Sequence, residues 1–218
     1  MEAVRWSVVL KLVHIWALVG FVVWPMMARS LPGQVHPQIV VWVYNDAGVE
    51  GATILGAEKI AAQIYQRAGF EIAWNNCPSL PGAGHTECLQ ALPPGRIFLH
   101  IEHQPRTPAE GIYGVAFLGD GGWGAYCDLF YDRIVALHRQ GAASEARMLG
   151  IIAAHEIGHL LLGSNAHSPE GIMRPQWQSE DFWRPGPGGT SFSCQQQQKI
   201  LSRLALLRNK EGTGAGSR

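Results

Sequence analysis

The sequence has little charge and no excess of either sign. Across 218 residues, 17 Lys+Arg face 17 Asp+Glu, and charged residues make up 16% of the chain, against about 25% in an ordinary soluble domain. A neutral chain carries no field that draws in nucleic acid or an anionic lipid surface, so neither partner is expected. With 47% hydrophobic residues, extensive disorder is a poor description. The four cysteines, Cys77, Cys88, Cys127 and Cys194, show no C-x-x-C spacing, which argues against a zinc ribbon or a thioredoxin-type site. There is no internal repeat, and the length suits one sizeable core but scarcely two.

Long apolar runs are also scarce. Arg5 and Lys11 precede a run from Leu12 to Ala28 that contains no Lys, Arg, Asp or Glu. A basic stretch followed by an apolar one is the pattern of an export signal, and this run is near the lower limit for a membrane span. Residues 1–28 are therefore expected to be a cleaved signal peptide or, alternatively, a retained membrane anchor. Either reading makes the protein secreted or extracytoplasmic, touching membrane only through that segment. Cysteines in such a compartment form lasting disulfides. Cys77 and Cys88 bracket a Pro/Gly-rich segment that buries little and gains most from a staple, roughly 2–3 kcal/mol. Pairing Cys127 with Cys194 follows only by elimination, and four reduced buried thiols are the alternative.

Apolar periodicity organises the rest. Ile39–Tyr44 reads as a strand, Ala52–Ala68 as an amphipathic helix stopped by Gly69, and Phe70–Trp74 and Arg96–Ile101 as strands. Ile112–Leu118 and Ala125–Tyr131 are two more strands, separated by a turn-rich Gly119–Gly124. Helices are expected from Ser144 to Leu162, with Gly163 beyond its end, and from Ser193 to Leu207. The order implies an α/β layer structure with a mainly parallel sheet of about five strands. One domain should span residues 29–209, followed by a disordered tail, 210–218.

The helix ending at Leu162 carries the chemistry. Between Met148 and Gly163 its only ionisable residues are His155, Glu156 and His159. At roughly 100° per residue, all three fall within about a third of the circumference, and the remaining surface is apolar. Such groups on a buried helix cost several kcal/mol unless they find partners or a solvated cleft. The HExxH spacing answers this: two histidines one turn apart aim ring nitrogens at one zinc ion, and the intervening Glu reaches water at the open position. A third ligand is then needed. His167 is favoured, while Glu170, Glu180 and Asp181 are the competing carboxylates. His100 and His103 fall on opposite faces of their strand, as rim residues. Asp120, Asp128 and Asp132 lack the spacing of a calcium loop.

His155, Glu156, His159, Gly163, His167 and Met173 together resemble the extended motif of the metzincin clan of zinc peptidases, with a methionine turn beneath the metal. The chain departs from it in spacing, having one extra residue before the glycine and one after, and so is similar to matrixin-like bacterial proteins. The resemblance implies a twisted sheet with Ile112–Leu118 as an antiparallel edge strand able to pair with an extended peptide substrate. It also implies a backing helix, an active-site helix and a C-terminal helix. On this basis the expected activity is zinc-dependent endopeptidase. Zn(2+) would be held by His155, His159 and His167, Glu156 would serve as general base, and Met173 would pack beneath the site. A non-catalytic exported zinc-binding protein and a zinc hydrolase of a non-protein amide are the alternatives.

Overall fold

In the computed structural model, residues 37–77, 88, 96–106, 111–183 and 188–214 are described, with side chains through Leu207. The expected export segment, 1–28, lies outside them. The described residues belong to one compact unit, Val35–Arg218. Strand β1, Gln38–Asn45, turns Ile39, Val41 and Val43 inward, each 2% exposed or less. Helix α1, Gly51–Arg67, crosses to β2, Glu71–Cys77, which pairs parallel with β1. Strand β3, Arg96–Glu102, and strand β5, Tyr126–Phe130, extend the parallel sheet, and β4, Gly114–Phe117, pairs antiparallel with β5 at the edge. The strand order is β2-β1-β3-β5-β4, the mixed sheet the sequence implied.

Helix α2, Tyr131–Arg139, follows β5 directly. Then come α3, Glu145–Leu162, α4, Ser179–Trp183, and α5, Cys194–Gly214. Every residue of α3 from Met148 to Leu162 is buried, which explains why its sequence is apolar all round. It packs on α1 at backbone distance: a methyl group added to Gly150 would stand 2.5 Å from the Ala57 carbonyl oxygen. Ser144 caps the start, its hydroxyl accepting from the Arg147 amide at 3.3 Å. Gly163, at φ 62° and ψ 37°, ends the helix in a left-handed turn that a side chain would strain. Among the described residues no helix is long and apolar enough to cross a membrane.

Several expectations need correcting. Tyr131 opens α2 and does not close a strand; Ile134 is the helix's one buried residue, so it leaves no periodic trace. Ile112 and Tyr113 precede β4. Ser179–Trp183 forms α4, a helix too short to show a repeat in the sequence. Helix α5 runs past its expected end at Leu207, through Gly214, because Lys210 and Glu211 extend an existing helix at little cost. Cys77 and Cys88 are disulfide-bonded. Cys127 and Cys194 are free: Cys127 is sealed in the core between the sheet and α3, whereas Cys194 is exposed at the start of α5.

Candidate active site

The helical repeat places His155 and His159 one turn apart, with their Nε2 atoms 3.1 Å from each other. Their other ring nitrogens fix which atom carries the proton. His155 Nδ1 donates to the Ile172 carbonyl at 2.7 Å, and His159 Nδ1 donates to the Ser164 carbonyl at 2.8 Å. A carbonyl only accepts, so each Nδ1 holds the hydrogen and each neutral ring turns a lone pair to its neighbour. Burial favours the neutral rings, pushing His155 down to about 3 and His159 below its ordinary value. Two lone pairs 3.1 Å apart repel unless a cation lies between them.

His167 supplies the third ring, 5.4 Å from the His155 ring and 4.9 Å from that of His159. The three histidines offer nitrogen atoms that all lie within 4.8 Å of one another, a group able to hold a metal ion. The arrangement fits zinc: nitrogen ligands at about 2.0–2.1 Å on a tetrahedral ion stand roughly 3.3 Å apart. Backbone carbonyls on both helix histidines supply the outer contacts that fix ligand tautomers.

The longer loop after the helix is put to use. The Gly163 turn brings Ser164 back so that its amide bonds the His159 carbonyl at 3.2 Å while its own carbonyl orients the His159 ring. The competing carboxylates stay outside the histidine group. Glu170 and Glu180 are exposed, and Asp181 is paired with Arg174 at 2.6 Å. Met173, fully buried, packs beneath α3: a methyl group on Gly158 would stand 2.6 Å from its sulfur.

Glu156 lines the same cleft, of about 210 Å³, with the three histidines, Tyr113, Val115, Ile152 and Trp177. Burial pushes its carboxyl up to about 8, so that it exchanges a proton near neutral pH. It has this position because Gly114 has no side chain. A methyl group there would sit 2.8 Å from Glu156 Cγ and 2.8 Å from the Asp128 carbonyl oxygen. Gly114 escaped the sequence reading, although a glycine inside a strand pattern signals close approach. Helix α1 also supports the site, with the buried Tyr65 hydroxyl donating to the Ala154 carbonyl at 2.9 Å, next to His155.

The remaining candidates lie elsewhere. His100 stacks on Tyr44 and meets Asp46 at 3.2 Å, and His103 meets Asp132 at 3.1 Å. Asp46, His100 and Glu102 form a second, more exposed group of possible ligands, in which Glu102 also faces Arg106 at 3.6 Å. Asp128, on β5, is raised above its ordinary value, chiefly by burial and then by Glu102. Asp120 lies in a short 3-10 turn before β5.

No protein-family model matches the chain, and no curated protein matches it either. Solved structures do. An archaemetzincin from Methanopyrus kandleri aligns over 80% of this chain and 99% of its own, at 13% identity and a TM-score of 0.48. The crystal structure of a zinc-dependent peptidase from Methanocorpusculum labreanum aligns over 73% of this chain and 99% of its own, at 13% identity and a TM-score of 0.51. This chain therefore shares the fold of a zinc-dependent peptidase.

Proposed function

We propose that this chain is a zinc-dependent peptidase acting outside the cytoplasm on extended peptide segments. One observation carries the proposal: the Nε2 lone pairs of His155 and His159 face each other at 3.1 Å while both Nδ1 atoms are committed to backbone carbonyls. His155, His159 and His167 would hold the ion. Zinc supplies Lewis acidity there, acidifying water at the open position and polarising a peptide carbonyl. The zinc-dependent peptidase whose fold the chain shares supports the choice of metal and reaction.

The protein's own groups do the rest. Ile172 and Ser164 hold the two helix imidazoles in the tautomer that presents Nε2. Glu156, in a cleft with no other carboxylate among its described lining residues, accepts the proton from water and returns it to the departing amine. Its burial suits that exchange, since a carboxyl poised near neutrality both takes and gives. The apolar lining restricts water around the reacting bond. Among the described residues strand β4 pairs with β5 alone, and an extended substrate would pair along its other edge. The Cys77–Cys88 disulfide supports an oxidising location.

Metal analysis of the purified protein beside E156Q tests the proposal. About one zinc per chain is expected, with casein hydrolysis falling by roughly 10²–10⁴-fold in E156Q while zinc is retained. A folded wild-type protein that takes up no zinc overturns the proposal, and so does E156Q hydrolysing casein at the wild-type rate.

A further inference from the structure

The segment that returns from α3 carries more than His167. Met173 is followed by Arg174, whose guanidinium is buried, at 8% residue exposure. A buried cation costs several kcal/mol unless its donors are met. Here Nε donates to the Gly171 carbonyl at 3.1 Å, Nη1 to Asp181 Oδ1 at 2.6 Å and Nη2 to the Gly189 carbonyl at 3.1 Å. The guanidinium carbon lies 4.7 Å from the centre of the Trp177 ring. That ring stacks on Phe182 at 5.5 Å. The other oxygen of Asp181 accepts from the Gln178 amide at 2.9 Å, fixing the first turn of α4. One planar group therefore ties together the beginning, middle and end of a segment that has little regular structure of its own.

Trp177 and Pro175 line the cleft with Tyr113, Val115 and Ile152, and Glu156 is the only carboxylate or basic side chain other than the histidines among its described lining residues. We propose that Arg174 is a positioning residue for substrate selection. It holds Trp177 as a cleft wall, so that the side chain a peptide places beside Glu156 must be uncharged and apolar. This inference rests on the peptidase function proposed above. Arg174 acts through Trp177 and lines no part of the cleft itself. Lysine cannot replace it, because a point charge on a flexible stem does not reach three acceptors and stack on a ring at once.

The test uses the full-length, zinc-loaded protein and a peptide library randomised on both sides of a central bond. Wild type, R174K, R174Q and W177A are compared. Wild type is expected to cut beside apolar residues. All three variants should widen that selection in the same direction, raising KM for the best wild-type peptide about tenfold while kcat stays within about threefold. Zinc should remain at about one per chain. Hydrogen exchange on metal-free protein gives a second readout: R174K and R174Q should speed exchange across residues 171–183 and leave α3 protected. Should R174Q fail to fold, R174K carries the comparison. Cleavage by wild type, with R174K or R174Q keeping its selection and KM, overturns the positioning role, as does unchanged exchange across 171–183. W177A retaining wild-type selection overturns it too. A wild type that cuts no peptide in the library instead defeats the peptidase function itself, and the two failures are thereby distinguished.

Discussion

Two stretches of the chain meet at Gly163 and build the site by different physics. Helix α3 places His155, Glu156 and His159 by its repeat and buries them against α1 and the sheet, so many small contacts hold each one. The return segment, Ser164–Ser191, contains only the short α4 among its described residues and presents His167 exposed. Ile172, Met173 and Phe182 anchor it in the core, each 0% exposed, and between these anchors it is held by point contacts: Ser168 amide to Met173 carbonyl at 2.9 Å, Ile172 amide to Ser191 carbonyl at 3.0 Å, and the Arg174 cluster. The stretch that carries His167 therefore tolerates the loss of one contact less well than the helix. A metal bridging the two would bring the rigidity of the helix to the loop.

The sharpest way to break this comparison is to remove one ligand from each half. H159A should abolish zinc binding at micromolar protein, a larger effect than the 10–100-fold typical of losing an outer-shell contact. H167A should leave weaker but measurable binding, because the two preorganised helix nitrogens remain. Competition titration against a chelator reads both. Equal losses would mean that the return segment is as well organised as the helix, and the distinction would fall.

The next largest effect lies where the edge strand meets the helix. In G114A the new methyl group must displace either Glu156 or the β5 backbone at Asp128. A base shifted by about 1 Å predicts a loss approaching 10²-fold in kcat/KM with zinc content unchanged. A variant of full activity would show that Glu156 does not work from this position. G158A strikes the contact between the halves, since its methyl group would meet the Met173 sulfur at 2.6 Å and Phe192 at 3.1 Å. Overpacking of this kind costs about 1–3 kcal/mol. Thermal unfolding should show it as a fall of roughly 2–4 °C per kcal/mol.

The same contrast explains what was legible in the sequence. The HExxH pair was legible because its chemistry and its 3.6-residue period are both local, and Cys77–Cys88 because the staple closes a short loop. His167 needed the glycine turn to be read together with the helix. What stayed hidden has no residue-type signature. The carbonyls of Ile172 and Ser164 orient the ligands, but any residue supplies a carbonyl. The separate fates of Cys127 and Cys194 depend on which layer each occupies, a tertiary fact. Arg174 did leave a trace, as a lone charge in the run Ile172-Met173-Arg174-Pro175, but only the acceptors at Gly171, Asp181 and Gly189 give it meaning.

A pH dependence of the metal-free protein separates the cleft groups by sign. His155 titrates near 3 when folded against an ordinary 6.5, so the unfolded chain binds more protons between those values and stability falls as pH drops from 6.5. His159 and His167 are also lowered and act in the same direction. Glu156 is opposite. Its folded value of about 8 exceeds an ordinary 4.5, so its contribution is full below 4.5 and is lost as pH rises towards 8. Each proton is worth about 1.4 kcal/mol per pH unit at most. Among the cleft groups, His155 and Glu156 offset each other between pH 4.5 and 6.5, while His159 and His167 add a rise. From 6.5 to 8 the cleft groups leave only the decline due to Glu156. Urea titrations in a chelator, comparing wild type with E156Q at each pH, isolate the Glu156 limb. The variant should gain on wild type steadily from pH 5 to pH 8 as the buried carboxylate is forced to ionise. A difference that stays flat across that range would mean that Glu156 reaches water freely in the folded protein, and that the cleft does not enclose its own base.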